Sequence, residues 1–276
     1  MTISYKALPS ESLQVTGSKL TIDLNNLKSY NKLYLFNPCF EELDNFKLYK
    51  YFSIENLGYL LKNRKLFMDR IQSWEDSFEN FFLKCNIEDN GKIFNAESQT
   101  QCLFGQSWTL KEETDALWRI YSPDKFGIRI KSNFNNLHKA IFVDDECIAN
   151  VWMGKVVYYP MQKISSIIEG RIKGVPLFDV YQKIFPSTIF MKRIEFSHEE
   201  EFRVSFMVDS RFSITQCKRL AFNIDPDTFI EEYCLDPRLN ESEFDTQKKR
   251  LLQMGANEDK IVQSQLYAFR PITFRI

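Results

Sequence analysis

The sequence contains little glycine and little histidine, which limits the kinds of site it can build. Nine of its 276 residues are glycine, and neither G-x-G-x-x-G nor G-x-x-x-x-G-K-S/T occurs. Rossmann and P-loop signatures are therefore excluded, and glycine-rich phosphate loops are not expected. The two histidines, His138 and His198, are too few for a histidine-based metal cluster.

Paired cysteine motifs are also absent. None of the six cysteines forms a C-x-x-C pair, and their gaps fit no zinc site. They are Cys39, Cys85, Cys102, Cys147, Cys217 and Cys234. Because most of them stand among apolar residues, we expect reduced and buried thiols.

The chain has no excess of either charge and no long apolar run. Its formal net charge is -1 and its pI is about 6.2, which excludes a basic nucleic-acid coat but leaves room for a local basic patch. No apolar stretch reaches the roughly 18 residues that span a bilayer, and residues 1–6 lack a signal-peptide pattern. We therefore expect a cytoplasmic protein, or one exported without a classical signal, that has no membrane partner.

Aromatic residues, by contrast, are abundant. They make up 15% of the chain and include 25 phenylalanines, which is enough material for a large packed core. The length fits one large domain. We predict an N-terminal extension over residues 1–40 that packs on a body formed by residues 41–276.

Strand and helix patterns follow one another irregularly along the body. Alternating or continuous apolar runs predict strands at 19–24, 32–36, 48–52, 66–69, 101–109, 126–130, 149–159, 200–208, 218–224, 229–234, 261–269 and 272–276. Helical spacing and cap residues predict helices at 56–64, 112–121, 134–140, 176–192 and 241–254. The helix at 176–192 is expected to be interrupted at Pro186. This order predicts an α+β fold, a single domain with a mixed, largely antiparallel sheet and surrounding helices.

The most informative motif is Glu199-Glu200-Glu201-Phe202-Arg203. Residues two apart on a strand face the same side, so Glu199 and Glu201 would lie together, with Arg203 next in the row. Two carboxylates so close repel each other, and one of them is expected to hold its proton longer. Such a pair suits a site that stabilises positive charge or takes up a proton, although a solvated edge strand would show the same spacing.

The order of several short motifs resembles a bacterial family catalogued as domain of unknown function 2971. These motifs, within residues 48–270, are Tyr49-Lys50-Tyr51, Trp74-Glu75-Asp76-Ser77-Phe78-Glu79, Cys102-Leu103-Phe104, Leu117-Trp118-Arg119-Ile120-Tyr121, Phe126-Gly127-Ile128 and the Glu199–Arg203 segment. The chain departs from the family pattern at Glu75, Ser77, Phe196 and His198, where asparagine, proline, tryptophan and tyrosine are usual. The family name implies no function.

A second resemblance does imply a function. ADP-ribosyltransferases, which split NAD, carry a basic residue or histidine on an early strand, preferably arginine or histidine. They carry a Ser-x-Ser/Thr motif or a tyrosine on a middle strand and a glutamate, often within Glu-x-Glu, on a late strand. Lys50, Ser107-Trp108-Thr109 and Glu199-x-Glu201 follow in that order. The resemblance implies an ADP-ribosyltransferase-like fold, NAD as the substrate, and a protein or nucleic acid as the acceptor.

The same resemblance implies roles for individual residues. Glu201 would stabilise the oxocarbenium-like state in which the nicotinamide–ribose bond breaks, and Glu199 would act as a base toward the acceptor. Lys50 would pair with the pyrophosphate, and Ser107 would hold a ribose or support Glu201. The remaining predicted NAD contacts are Tyr51, Trp108, Tyr121 and Arg203, the aromatic residues by stacking. No metal ligand belongs to this predicted site.

Two other classes of function stay open from the sequence. A metal-dependent nuclease or NAD glycohydrolase would use carboxylates to hold a divalent cation, and the candidates are Asp69, Asp76, Glu79, Glu199 and Glu201. A non-enzymatic binding or regulatory module would keep the aromatic residues and tolerate loss of both glutamates. The transferase hypothesis admits a bacterial toxin or phage-defence effector, with a cognate antitoxin or defence protein as its partner.

Overall fold

The structure, a computed structural model, describes residues 4–6, 14–17, 32–36, 46–74, 76, 78–79, 81–95, 97–141, 149–177, 180–208, 219–269 and 271–275. Within these residues the strands are β1 (Ser4–Lys6), β2 (Gln14–Gly17), β3 (Lys32–Phe36), β4 (Lys47–Phe52), β5 (Lys65–Arg70), β6 (Ile87–Asp89), β7 (Lys92–Phe94), β8 (Leu103–Thr109), β9 (Ile128–Asn133), β10 (Ala149–Lys155), β11 (Val157–Tyr159), β12 (Met191–Arg193), β13 (Glu201–Val208), β14 (Arg219–Asn223), β15 (Glu232–Leu235) and β16 (Ile261–Gln263).

The α-helices of the described residues are α1 (Ile54–Asn63), α2 (Phe81–Lys84), α3 (Asp115–Tyr121), α4 (Phe134–Ile141), α5 (Met161–Ile172), α6 (Phe185–Thr188), α7 (Pro226–Phe229) and α8 (Glu241–Gln253). Short 3-10 helices lie at Ile71–Ser73, Glu97–Cys102, Ile194–Glu199 and Glu258–Lys260, and a π-helix lies at Val180–Ile184. Most strand pairs are antiparallel, so the predicted α+β class with a mixed, largely antiparallel sheet is confirmed.

The chain divides into two compact units, and each unit is built from three separate stretches of sequence. Unit 1 comprises Met1–Asp44, Phe67–Thr109 and Ile141–Ala221, and unit 2 comprises Asn45–Leu66, Leu110–Ala140 and Phe222–Ile276. The predicted boundary between residues 40 and 41 lies outside the described residues, so it stays a prediction.

Unit 1 contains strands in the order β1-β2-β3-β10-β13-β8-β5, in which β3 and β10 are parallel and the other neighbours are antiparallel. An apolar cluster packs helices α5 and α6 beside this sheet, with Trp152 of β10, Ile164 of α5 and Phe185 of α6 among its members. β13 has a partner strand on both sides, and its residues from Glu201 to Phe206 are buried. Apolar residues are expected at such buried positions. Glu201 and Arg203 are charged instead, and their roles in the candidate site account for this.

Unit 2 contains strands in the order β4-β9-β15-β16, with antiparallel pairs except for the parallel pair β15–β16. Helix α1 begins where the hydroxyl of Ser53 accepts a hydrogen bond from Asn56 N at 3.2 Å, as its capping position predicts. Helix α8 begins at a capping box formed by Asn240 and Glu243. The predictions of both helices are therefore confirmed to within two residues of their ends.

The prediction of one interrupted helix over 176–192 is wrong in detail. The structure has the π-helix Val180–Ile184, then α6, and then strand β12, and it has helix α5 where the sequence analysis predicts no element. Pro186 lies in the first turn of α6, where a missing backbone N–H costs no hydrogen bond. The proline therefore marks the beginning of a helix and not an interruption.

The strands predicted near the two ends of the chain are confirmed only in part. The strand at 32–36 is confirmed as β3, whereas the strand predicted at 19–24 lies outside the described residues. The strand predicted at 261–269 ends at Gln263, and residues 271–275 form no strand, so the prediction for 272–276 is wrong for its described residues. Apolar alternation alone does not form a strand without a neighbouring strand that completes its hydrogen bonds.

Gly105 permits the close approach of β8 to β13. A Cβ atom added there would lie 2.8 Å from the carbonyl oxygen of Val204 and 3.0 Å from Cδ1 of Ile71. We expect Gly105→Ala to lower the free energy of unfolding by about 1–3 kcal/mol, because backbone must shift to make room. Urea unfolding measures this change.

Gly170 provides the matched control, because it lies inside α5 and an added Cβ has no described atom within 4 Å. Gly170→Ala should raise the free energy of unfolding by about 0.5–1 kcal/mol. Equal effects of the two substitutions would contradict the close approach at Gly105.

The cysteines that the structure describes differ in their burial. Cys234 is buried, Cys102 is half-buried and Cys85 is exposed, so the expectation of buried thiols is wrong for Cys85. Among the described residues, no helix combines the length and apolar character that crossing a membrane requires.

Candidate active site

The two glutamates of the Glu-x-Glu motif meet, but not in the way a continuous strand would place them. Glu199 ends the 3-10 helix Ile194–Glu199, and Glu200 has a left-handed backbone with φ 42°. β13 begins one residue later, at Glu201. The expectation that Glu199 and Glu201 lie on one face of a strand is therefore corrected: a tight turn at Glu200 separates Glu199 from the strand that begins at Glu201.

Two hydrogen bonds hold this turn in place. The hydroxyl of Thr109 donates to the carbonyl oxygen of Glu199 at 2.6 Å. The backbone N–H of Glu201 donates to the hydroxyl oxygen of Tyr158 at 2.8 Å. Since Thr109 ends β8 and Tyr158 lies on β11, the turn is fixed from two strands of unit 1.

Arg203 lies beside Glu201 on the same face of β13, as the two-residue spacing predicts. Its side chain is 0% exposed, and its Nε donates to Oε2 of Glu201 at 2.5 Å. Its Nη2 donates to Oε1 of Glu79 at 2.5 Å, and its Nη1 donates to the carbonyl oxygen of Ile189 at 2.7 Å. The structure thus places Arg203, predicted as an NAD contact, as a buried support for two carboxylates.

Lys192 of β12 joins the same group. Its ammonium nitrogen lies 2.6 Å from Glu199 Oε2, 2.6 Å from Glu201 Oε1 and 3.3 Å from Glu79 Oε1. We call Glu79, Lys192, Glu199, Glu201 and Arg203 the ion cluster. Neither Lys192 nor this role of Glu79 was predicted from the sequence. Glu79 could have been found from its place in the Trp74–Glu79 motif. Lys192 could have been found from its position at the end of a predicted helix, close in sequence to the Glu199–Arg203 segment.

Aromatic rings cover both cations of the ion cluster. The Arg203 guanidinium carbon lies 5.1 Å from the centre of the Trp74 ring, and Lys192 Nζ lies 4.4 Å from the centre of the Phe196 ring. These are cation–π distances. The rings also reduce contact with water, which strengthens the charge interactions beneath them.

The surroundings shift the pKa values of Glu199 and Glu201 in opposite directions. Burial raises the pKa of Glu199 to about 7, and the adjacent Glu201 carboxylate adds to the rise despite the Lys192 ammonium. Burial would also raise the pKa of Glu201, but Arg203, a hydrogen bond with Glu199 and Lys192 outweigh it and hold that pKa well below its usual range. The pair therefore contains one fixed anion and one group that exchanges a proton near neutral pH.

Ser107 and Trp108 on β8 take different places. The hydroxyl of Ser107 donates to Glu201 Oε2 at 3.1 Å, which agrees with the predicted support of Glu201. Trp108 is buried, and its indole N–H donates to Oε1 of Gln106 at 2.9 Å. This places Trp108 in the interior of unit 1, where stacking on a ligand would first require it to leave its packing.

The other predicted NAD contacts belong to unit 2. Tyr51 stacks on the half-exposed Tyr121 with ring centres 5.7 Å apart, and it meets the edge of Trp118 at 4.9 Å. The buried Tyr51 hydroxyl has no hydrogen-bond partner among the described residues, and burial raises its pKa. Lys50 Nζ lies 5.7 Å from the centre of the Phe52 ring. Trp118 is wholly buried and donates its indole N–H to Glu113 at 2.9 Å.

The carboxylates of the metal hypothesis are engaged with basic side chains. Asp69 pairs with Arg219 at 2.5 Å and Asp76 pairs with Arg193 at 3.1 Å, while Glu79, Glu199 and Glu201 surround Lys192. Within the described part of the chain, no group of three His, Cys, Asp or Glu side chains is arranged to hold a metal ion. The geometry therefore gives no specific support to a divalent-cation site.

The raised pKa of Glu199 predicts a pH dependence of stability. The folded protein keeps a proton on Glu199 up to about pH 7, whereas the unfolded chain releases it near 4.5. Its contribution to stability is therefore complete below pH 4.5 and is lost as the pH rises through about 7. We expect wild-type protein to lose stability between about pH 5.5 and about pH 7.5, and Glu199→Gln to lose less of it.

Urea unfolding at both pH values measures the difference. Glu201 does not interfere, because its lowered pKa affects stability in the acidic range below 4.5. Glu200→Gln changes an exposed neighbour and should keep the wild-type pH dependence. If Glu199→Gln and Glu200→Gln show the same dependence, Glu199 does not titrate near pH 7.

Comparisons with known proteins add little to this geometry. Protein-family models gave no match, and curated proteins gave none, so the resemblance to domain of unknown function 2971 stays a prediction. Among solved structures the chain is similar to Thermus sp. 2.9 DarT in complex with NAD+, at 13% identity and a TM-score of 0.37, over 83% of this chain and 98% of that chain. The DarT complex with ADP-ribosylated ssDNA gives 13% identity and a TM-score of 0.37, over 80% of this chain and 94% of that chain. Similarity at this level carries no argument about the activity of this chain.

Proposed function

We propose that this chain is an NAD-using, ADP-ribosyltransferase-like enzyme. One observation carries the proposal: two buried glutamates share the Lys192 ammonium group, and the pKa of Glu201 is held well below its usual range while that of Glu199 is raised to about 7. The first group suits a developing positive charge, and the second suits proton transfer at neutral pH. Charged groups with strongly shifted pKa values that lie together favour an active site over a purely structural ion network.

In the proposed reaction the bond between the nicotinamide nitrogen and the ribose carbon breaks, and its electron pair leaves with nicotinamide. Positive charge develops on the ribose, and Glu201 stabilises it because its charge is already oriented by Arg203 and Lys192. The contact from Ser107 to Glu201 is 3.1 Å long, longer than those from Arg203 (2.5 Å) and Lys192 (2.6 Å). We propose that a ribose hydroxyl replaces this contact when NAD binds.

Glu199 completes the transfer. The acceptor group attacks the ribose carbon with a lone pair, and its proton passes to the Glu199 carboxylate. A base is most effective when its pKa is near the working pH, and Glu199 meets that condition. With water as the acceptor the same residues would hydrolyse NAD.

Lys50, Tyr51 and Tyr121 keep the roles toward NAD that the sequence resemblance implies. Lys50 is assigned to the pyrophosphate, as a compact cation. The stacked pair of Tyr51 and Tyr121 is assigned to a planar ring of the substrate. Lys50→Ala should therefore weaken NAD binding more than it slows the chemical step.

Incubation with NAD labelled in the nicotinamide ring tests the proposal. We expect release of nicotinamide without added magnesium, and loss of that release in Glu201→Gln. Acceptors to include are protein, single-stranded DNA and single-stranded RNA, because the sequence resemblance implies a protein or nucleic-acid acceptor. A protein that neither binds NAD nor releases nicotinamide with any of them would refute the proposed function, and release that requires magnesium would favour the hydrolase alternative. The role as a toxin or defence effector, with a cognate antitoxin or defence partner, is part of the same proposal.

A further inference from the structure

We infer that Lys192 is the positioning residue of the ion cluster: its ammonium group fixes Glu199 and Glu201 in one arrangement relative to each other. The catalytic part of this inference rests on the proposed function. Lys192 touches the two glutamates and is not itself assigned a contact with substrate.

Lys192 makes two hydrogen bonds and one further ion pair with carboxylates. Lysine has three N–H donors, and three carboxylates lie within 3.3 Å of Nζ: those of Glu199, Glu201 and Glu79. The side chain is 6% exposed, and Phe196 covers it. An ammonium group so enclosed has little freedom to move, so it holds its three partners at fixed relative positions.

The charge balance shows what Lys192 does to its partners. The ion cluster has three carboxylates, Glu79, Glu199 and Glu201, but two cations, Lys192 and Arg203. Arg203 contacts Glu201 and Glu79, so Lys192 supplies the hydrogen bond from a cation that reaches Glu199. Without Lys192 the carboxylates around Arg203 would carry two uncompensated charges, and Glu199 would hold its proton to higher pH.

Two other titratable groups near Glu199 and Glu201 do not supply positive charge to these carboxylates. Tyr158 contacts the Glu201 backbone through its hydroxyl, and burial raises the pKa of that hydroxyl, so it is uncharged at neutral pH. Burial also raises the pKa of Glu79, and this carboxylate adds negative charge to the cluster. Arg203 therefore distinguishes the two glutamates, because it contacts Glu201, and Lys192 holds them together, because it contacts both.

The first test replaces Lys192 by methionine, which keeps the length of the side chain and removes the charge. In the NAD assay, we expect the rising limb of the pH–rate profile to move to higher pH, with a loss of about tenfold at neutral pH for each unit moved. Lys163→Met is the control, because Lys163 is an exposed lysine on α5. It should keep the wild-type profile.

The second test does not need catalysis. Carboxyl carbon NMR of protein labelled in its glutamates should show one group that titrates near neutral pH in the wild type and is missing in Glu199→Gln. Lys192→Met should move this titration to higher pH. If nicotinamide release is never detected but the titration moves as expected, the proposed reaction fails and the positioning role of Lys192 stands. A folded Lys192→Met protein with an unmoved titration overturns the inference.

Lys192→Arg keeps the positive charge at this position but changes the directions of its N–H groups. It is also the variant to use if Lys192→Met does not fold. A planar guanidinium keeps the charge but cannot direct three N–H groups at the positions an ammonium reaches. We expect the Glu199 titration to stay close to that of the wild type while nicotinamide release falls at least about tenfold. Wild-type release by Lys192→Arg would overturn the positioning role, because charge alone would then be sufficient.

Discussion

Glu201→Gln is expected to slow nicotinamide release from NAD by about 10²–10³-fold, the usual effect of removing one electrostatic group that stabilises a transition state. The amide keeps the size of the side chain, but it has no charge to offer the ribose. It also presents N–H donors where Lys192 and Arg203 now donate. The effect should appear in the rate constant of the chemical step under single-turnover conditions.

The same substitution costs stability, because Glu201 is buried and ion-paired. Glu79 and Glu199 still balance Lys192 and Arg203 in this variant, so we expect a folded protein whose melting temperature is lowered. Glu200→Gln, the exposed neighbour, should change neither quantity. A Glu201→Gln protein that releases nicotinamide at the wild-type rate would remove Glu201 from the proposed mechanism.

Arg203→Met is expected to give the largest loss of stability, about 3–5 kcal/mol in the free energy of unfolding, because it leaves buried carboxylates without their partner. Arg203 is wholly enclosed and serves both Glu201 and Glu79. After the substitution Lys192 alone faces three carboxylates. The loss should be smaller at acidic pH, where protons replace the missing cation.

Arg119→Met is the matched control for an arginine–carboxylate pair in water. Arg119 lies 2.9 Å from Asp115 on the exposed surface of α3, and such pairs contribute about 0.3–0.5 kcal/mol. Urea unfolding of both variants gives the comparison. If Arg203→Met loses no more stability than Arg119→Met, the ion cluster does not hold the fold of unit 1 together.

The sequence predicted the parts of the site that depend on neighbouring residues. Period-two spacing placed Glu201 and Arg203 on one face of a strand, and the structure confirms that they contact each other. The spacing did not predict the position of Glu199 correctly. Glu200 has a left-handed backbone that interrupts the strand, and its residue type does not indicate this. Asn and Gly favour that conformation, and glutamate does not.

The parts that depend on distant residues were not predicted. Arg203 contacts Glu79 across 124 positions of sequence, and no local pattern reports such a contact. Lys192 was assigned to the end of a helix predicted over 176–192, which was expected to be interrupted at Pro186. Its location on β12 depends on parallel pairing with β11, which is a tertiary interaction. The burial of both residues follows from that same folding and not from their polarity.

The odd number of charges in the ion cluster has a thermodynamic consequence for binding. Three carboxylates and two cations are neutral together when one proton is present, and Glu199, with a pKa of about 7, is the group that holds it. The nicotinamide ring of NAD carries a positive charge. If the ring binds beside the ion cluster, as the proposed function requires, its charge neutralises the cluster in place of the proton on Glu199. Binding of NAD would then release a proton to solvent and tighten as the pH rises through neutrality. NADH, whose ring is uncharged, would have neither property, and the cluster would thereby distinguish the oxidised from the reduced dinucleotide by charge alone.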